Sequence, residues 1–285
     1  MNGAVSPAES VHREAVIFDA VCPLLNDPDY IDAWIAGGCT AAAPTVASND
    51  DPPAALAKVG RWLRRIQEDP RLLHVTRVEH FAQAKAEGRL GIVFHFQNTL
   101  PLGRDVDNVW AYAALGVRMI QLTYNTRNYV GDGCDDRSDA GLSDFGVRVI
   151  RAMNQAGIVV DLSHTGVRTT LEAMEVTEAV PVFSHSNARG VHPSPRNLTD
   201  EQIRKVAERG GVIGLNAFPA FVSAKPQPTV DDLVDHAIYI ADLVGAEHVG
   251  LGLDFYSGMA GVAEPNRARA EYEALGAAGT WKPSV

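Results

Sequence analysis

Two segments share one layout, a β-branched apolar run followed by Ser-His: Gly157–Gly166 (G-I-V-V-D-L-S-H-T-G) and Pro181–Arg189 (P-V-F-S-H-S-N-A-R). The run Ile158–Leu162 is typical of a strand buried on both faces, as parallel sheets require. Barrels of parallel strands keep their chemistry at the C-terminal strand ends. His164 and His185 are therefore a candidate metal pair, and an equally simple interpretation is that loop carbonyls satisfy both imidazoles.

Outward from these segments, apolar runs alternate with helical segments along the whole chain. The alternation predicts βαβ units and a parallel sheet. Eight repeats favour an α/β fold of the (β/α)8 TIM-barrel type. A doubly wound open sheet is the alternative, and it is disfavoured because no G-x-G-x-x-G follows the first strand. The predicted strands are Ala15–Val21, Cys39–Val46, Leu90–Phe96, Val117–Tyr124, Ile158–Leu162, Val180–Ser184, Val212–Phe218 and His248–Phe255.

The chain contains no repeat, linker or low-complexity block that would mark a second domain. We therefore predict one domain over residues 1–285, with residues 1–12 as a disordered leader. Arg71–Val75 is expected to be a short peripheral extended piece. The polar segment Asn125–Ser143 is long for a connection, which indicates a binding loop or lid.

Charge and cysteine content narrow the class of protein. The net charge of −10 disfavours a nucleic-acid partner, which needs a basic patch. No apolar run is long enough to span a membrane, and no secretory signal precedes the first strand. Three widely spaced cysteines are no disulfide framework, so we expect a reducing cytoplasm.

Polar side chains follow most of the apolar strands. Two histidines with an amide or carboxylate can hold zinc and leave a position open for water. Asp254 could transfer protons or simply cap a turn. Arg196 could grip a substrate carboxylate or anchor its own loop. His95 is expected to be a core histidine rather than a ligand, Asn216 a structural amide, and Asp161 a contact to a helix.

Four longer motifs stand in the chain: Asp144–His164, Pro181–Arg189, Pro195–Asp200 (P-R-N-L-T-D) and His248–Phe255 (H-V-G-L-G-L-D-F). Together they resemble the membrane (renal-type) dipeptidases, peptidase family M19, which are amidohydrolase-like TIM barrels. The resemblance runs through residues 15–260 in the right order.

The resemblance implies roles for matched positions. Family members hold two zinc ions, and His164 and His185 match the pair that binds the second. Asp254 matches the acid/base aspartate, and Arg196 matches the arginine that binds the substrate's terminal carboxylate. Tyr124 stands where the family has a substrate-binding histidine, and the implied partner is a small dipeptide-like substrate. Family members are often dimers, so a homodimer is expected.

Besides Tyr124, three metal-binding positions depart from the family pattern. In the D-x-H-x-D motif of strand one, Val21 and Pro23 replace the His and Asp ligands. Gln97 stands where a glutamate bridges the two metals. We therefore predict one zinc ion, held by His164, His185 and Gln97, with the first zinc site lost.

These observations predict a metal-dependent dipeptidase-like hydrolase in which zinc-bound water attacks an amide and Asp254 is the general acid/base. The alternative is a catalytically impaired barrel that binds a small molecule or another protein. A third hypothesis keeps one metal ion but places the reaction at a non-peptide bond. The chain also ends earlier than family members do, so we expect a truncated C-terminus and an incomplete last helix.

Overall fold

The computed structural model describes residues 6–256, and its strands are short and parallel. The strands are β1 (Phe18–Asp19), β2 (Ala41–Ala42), β3 (Thr45–Ala47), β4 (Leu72–His74), β5 (Leu90–Ile92), β6 (Phe94–Phe96), β7 (Val117–Gln121), β8 (Val159–Asp161), β9 (Ile213–Leu215) and β10 (Val249–Leu251).

The strands form two sheets, in the orders β4-β5-β2-β1-β10-β9 and β3-β6-β7-β8. Single parallel bridges join them: Asp161 pairs with Val182, and Phe183 pairs with Ile213 of β9. Since β2 and β3 are halves of one strand, as are β5 and β6, parallel pairing continues around the ring. The fold is a TIM barrel, as predicted.

One strand prediction needs correction. Val180–Ser184 is not a continuous strand, because only Val182 and Phe183 pair with neighbours. The short extended segment Arg71–Val75 contains β4, which lies at the edge of the larger sheet, as its predicted peripheral place implies. Strand six lies very close to its neighbour, since a side chain at Gly214 would collide with the Ser184 carbonyl oxygen.

Helices lie between the strands and cover the barrel. Several begin at residues whose side chains accept from free backbone N–H groups, such as Asp51, Ser143 and the capping box of Thr199 with Gln202. The helices are α1 (Pro7–Glu14), α2 (Ile31–Ala36), α3 (Pro52–Glu68), α4 (Glu79–Glu87), α5 (Asn108–Ala114), α6 (Asp144–Ala156), α7 (Val167–Val176), α8 (Asp200–Glu208), α9 (Pro219–Val222) and α10 (Val230–Val244).

The N-terminal segment differs from the disordered leader expected for residues 1–12. Pro7–Glu14 is helical, and Ser6 forms a capping box with Glu9. No residue of this helix is buried, so packing against the core does not explain why it forms. Local capping, which satisfies the first N–H groups, explains the helix.

The core lies between barrel and helices, with large side chains such as Phe94, Phe96 and Phe183 fully buried. Cys22, Cys39 and Cys134 are free thiols. Among residues 6–256, no helix has the length and apolar character needed to cross a membrane. The predicted incomplete last helix lies outside the described residues.

Candidate active site

The six predicted site residues come together at the C-terminal ends of the barrel strands. His185 is the centre of the group. Its Nε2 lies 2.8 Å from Nε2 of His164 and 3.4 Å from Nε2 of Gln97. Its backbone carbonyl accepts a 3.0 Å hydrogen bond from Arg196 Nη2. Both histidines are buried.

The orientation of His164 is fixed by Asn125, the first residue of the long polar loop. His164 Nδ1 lies 2.5 Å from Asn125 Oδ1. An amide oxygen only accepts, so Nδ1 carries the proton and Nε2 presents a lone pair. Both residues have left-handed backbones, with φ of 61° at His164 and 62° at Asn125. Such conformations cost free energy in residues other than glycine and cluster at functional sites.

His185 is oriented by a second chain of hydrogen bonds. Ser184 Oγ donates to Asp161 Oδ2 at 2.5 Å and lies 2.7 Å from His185 Nδ1. Because the hydroxyl proton is used on the carboxylate, the hydroxyl oxygen accepts from Nδ1–H. His185 Nε2 is therefore also a lone pair.

With these tautomers two lone pairs lie 2.8 Å apart, and a cation bound by both nitrogens would relieve their repulsion. Burial lowers the pKa of both His164 and His185 well below the usual value, and the nearby Arg196 charge lowers them further. A proton is therefore a poor bridge near neutral pH. The donor set suits a metal ion, since imidazole Nε2 atoms oriented through Nδ1–H are common zinc ligands.

The third donor is weaker. Within residues 6–256, no group of three or more His, Cys, Asp or Glu side chains is arranged to hold a metal. Gln97 faces His185 through its amide, and a flip of this amide would bring Oε1, a possible ligand atom, to the same place. Two imidazoles and an amide are donors that can hold a metal ion.

Asp254 lies beside this group, three residues after the end of β10. Asn216 Nδ2 donates to its Oδ2 at 3.3 Å, and both the Asn216 and the Gln97 amides favour the ionised carboxylate and so act to lower its pKa. Burial raises the pKa of Asp254 to about 7, although the Arg196 charge opposes the rise. A carboxyl group that titrates near neutrality is suited to both accepting and donating a proton. Its backbone φ of 58° is again left-handed.

Arg196 and Tyr124 line the same site. Arg196 is 4% exposed, its guanidinium lies 5.2 Å from the Phe221 ring centre, and its Nε has no hydrogen-bond partner among the described residues. A buried guanidinium with an unused donor can receive a carboxylate. The Tyr124 ring stacks on His164, with ring centres 4.3 Å apart, and burial raises the pKa of its hydroxyl.

A family model described as "Membrane dipeptidase (Peptidase family M19)" matches residues 35–275, well over half of the chain. The chain belongs to peptidase family M19. Uncharacterized dipeptidase C3A11.10c of Schizosaccharomyces pombe is 43% identical over 145 residues, which cover 50% of this chain and 36% of that protein. Dipeptidase aclJ of Aspergillus oryzae is 31% identical over 172 residues, covering 59% and 41%. The chain thus spans less than half the length of these M19 relatives.

Solved structures agree with this assignment. An amidohydrolase from Pseudomonas aeruginosa has a TM-score of 0.85 at 31% identity, covering 89% of this chain and 78% of that one. A metallo peptidase from Rhodobacter sphaeroides, liganded with a phosphinate mimic of the dipeptide L-Ala-D-Ala, has a TM-score of 0.76 at 21% identity, covering 94% of both chains. The second likeness, at 21% identity, shows a shared fold.

The side chains of Val21 and Pro23, which follow β1, have no atom that can bind a metal. Val21 is fully buried, and its carbonyl accepts from the Asp254 backbone N–H at 2.9 Å. Pro23 begins a short 3-10 helix. The polar group that strand one does supply is Asp19, which accepts from Trp34 Nε1 and from the backbone N–H of Leu253.

Three residues that shape this site, Asp161, Ser184 and Asn125, have roles that the sequence did not predict. Asp161 does not contact a helix as expected. It is buried inside the barrel, where it also lies 3.1 Å from His95 Nε2. Ser184 and Asn125 were not singled out, although Ser184 directly precedes His185. His95 is a core histidine that contacts Asp161, in agreement with the interpretation preferred from the sequence.

Proposed function

We propose that this M19 chain is a metal-dependent, dipeptidase-like hydrolase that cleaves an amide bond in a small substrate carrying a free carboxylate. The observation that carries the proposal is the convergence of two oriented Nε2 lone pairs, from His164 and His185, beside Asp254 and Arg196. One zinc ion, held by the two histidines and Gln97, is the proposed cofactor.

When bound, zinc would lower the pKa of water and polarise the scissile carbonyl. The residues of the chain supply the other requirements. Arg196 would grip the substrate carboxylate through its unused donors and so fix the amide near the histidine pair. Asp254, with its pKa of about 7, would accept a proton during attack and return it to the leaving amine. Tyr124, stacked on His164, would contact the substrate.

Metal content together with turnover tests this proposal. Protein purified without chelator should contain about one equivalent of zinc and hydrolyse an unblocked dipeptide, because a free carboxylate is needed at Arg196. The same dipeptide with an amidated C-terminus should be hydrolysed much more slowly. The variants His164→Ala and His185→Ala should lose zinc. The control variant His192→Ala changes a histidine in the loop that follows His185, and it should keep zinc. Protein that binds no zinc and hydrolyses no dipeptide would contradict the proposal.

The second candidate is a barrel that has lost catalysis and binds a small molecule or another protein. It is motivated by Val21, Pro23 and Gln97, which depart from the metal-ligand pattern of the family. Dipeptide turnover abolished by Asp254→Asn would exclude it. Binding of a dipeptide without turnover in zinc-supplemented buffer would favour it. A homodimer and a cytoplasmic location stay predictions.

A further inference from the structure

A cavity of about 710 Å³ opens at the N-terminal end of the barrel, opposite the candidate active site. Val16 and Ile17 before β1, Gly157 before β8 and Val212 before β9 lie along it, which places it at the barrel floor. TIM-barrel interiors are normally filled by layers of branched side chains. Here the strands leave open the space that such side chains occupy.

Small residues contribute to the open space. Ala20 and Gly157 line the cavity with little or no side chain, and a β-carbon at Gly157 would contact nothing within 4 Å. The remaining wall is apolar, as in a site for a ligand with an apolar body. Its larger members include Phe18, Val75, Phe81, Val93, Met119 and Val182.

The cavity wall is accessible to solvent. Val159 is 36% exposed, Val212 37% and Leu251 41%, although these residues belong to or adjoin barrel strands. Apolar residues of this kind are ordinarily buried in a barrel. A contiguous exposed apolar surface within a concave site indicates a binding site.

Two guanidinium groups provide the charge at this cavity. Arg77 and Arg118 line it, and among its described lining residues there is no acidic side chain. Arg118 Nε donates to the Thr76 carbonyl at 2.9 Å, which places it against the segment that carries Arg77. Arg77 contacts the His80 ring through Nε and Nη2, so its remaining N–H donors are available to a ligand.

We propose that the floor cavity binds an amphipathic small molecule with an apolar chain and one anionic group, of the fatty-acid type. The chain would lie against the valine, phenylalanine and methionine wall. The anionic group would contact Arg77 and Arg118 at the rim. This site is separate from the proposed hydrolase site, and its occupation requires neither zinc nor catalysis.

The cavity also reaches the catalytic end through one residue. Ser184 lines the cavity and hydrogen bonds His185 Nδ1. A ligand bound at the floor therefore lies next to the chain of hydrogen bonds that orients a proposed metal ligand. The binding proposal does not depend on this connection.

Calorimetric titration of the whole chain with decanoate, below its micelle concentration, tests the proposal. Decanol and acetate serve as the uncharged and tail-less comparisons. Val159→Phe places bulk in the cavity, and Val180→Phe is its matched control, since Val180 is 50% exposed and does not line the cavity. Arg77→Gln removes one charge, and Arg61→Gln, at a different surface groove, is its control.

We expect decanoate to bind at one site, and decanol and acetate to bind at least about tenfold more weakly. Val159→Phe and Arg77→Gln should weaken decanoate binding, and both controls should bind like the unaltered chain. Absence of decanoate binding, or unchanged binding by Val159→Phe, would overturn the cavity assignment. Equal affinity for decanol would overturn the anionic group. If Val159→Phe does not fold, Val212→Phe makes the same test from the neighbouring wall.

Discussion

Replacing Asp161 by asparagine should change which nitrogen of His185 carries the proton. Asp161 Oδ1 accepts from the backbone N–H groups of Ser163 and Ser184, each at 3.0 Å. An asparagine oxygen can keep both of these bonds. At the other position an NH2 group would replace Oδ2 and face the Ser184 hydroxyl. The hydroxyl would then accept from the amide and donate to His185 Nδ1.

That reversal would leave His185 protonated on Nε2, so its lone pair would no longer face His164. Changing a residue that hydrogen bonds a metal-binding histidine typically costs 10- to 100-fold in metal affinity. We therefore expect zinc affinity to fall by about 10- to 100-fold, which corresponds to about 1.4–2.8 kcal/mol. Folding should be largely preserved, because the amide has the shape of the carboxylate and keeps both backbone hydrogen bonds. The second proton of the amide can be donated to His95 Nε2, which the carboxylate contacts at 3.1 Å.

Nitrogen-15 NMR of the imidazoles in metal-free protein distinguishes the two tautomers directly, and competition with a chromophoric chelator measures zinc affinity. Ser184→Ala is the matched variant, since it removes the acceptor for Nδ1–H without supplying a donor. It should weaken zinc binding while imposing no Nε2–H tautomer. An Asp161→Asn protein that keeps its proton on Nδ1 and its zinc affinity would refute this reasoning.

Three further outcomes are expected. Gln97→Glu should raise zinc affinity by at least about tenfold, because it places a carboxylate beside His185 Nε2. A chelator titration measures the affinity, and Gln83→Glu, at an exposed position, is the control. Asp254→Asn should lower dipeptide turnover by about 10²- to 10⁴-fold while zinc content is unchanged, as kinetics with elemental analysis would show. Burial raises the pKa of Asp19 from 3.8 to about 6, so the native state holds this proton more tightly than the unfolded chain. Its stabilising contribution is complete below about pH 4 and is lost as pH rises through about 6, by about 3 kcal/mol. Denaturant unfolding from pH 4 to 7 should therefore show a smaller loss of stability in Asp19→Asn; an identical pH profile would count against the shift.

The barrel and the members of its site were predictable because both depend on local patterns. Apolar runs ending in polar residues mark strands whose tips share one rim, and this rule alone brought His164, His185 and Asp254 together. The sixth strand was less predictable. Its two bridges depend on the close approach of Gly214 to the Ser184 backbone, which is a feature of neighbouring strands rather than of one segment.

The residues that orient the histidines were harder to predict for a related reason. Asp161 lies three residues before His164, yet its hydrogen bonds reach Ser184 and His95 on other strands. Side-chain alternation could not place it, because the strand is buried on both faces. Asn125 depends on a left-handed backbone in a loop, for which the sequence carries no periodic signal.

Because Gln97 is neutral, the site lacks a negative charge that would offset the charge of a bound metal ion. A divalent ion between the two histidines would have two neutral imidazoles and an amide as its protein ligands. Arg196, which lowers the pKa of both histidines, would repel that ion in the same way. The nearby carboxylates are Asp254, which is half protonated at about pH 7, and Asp161, which acts through Ser184. Substrate binding would change this balance, because a carboxylate on Arg196 neutralises the repelling charge. Zinc and substrate should therefore bind cooperatively, each raising the affinity for the other.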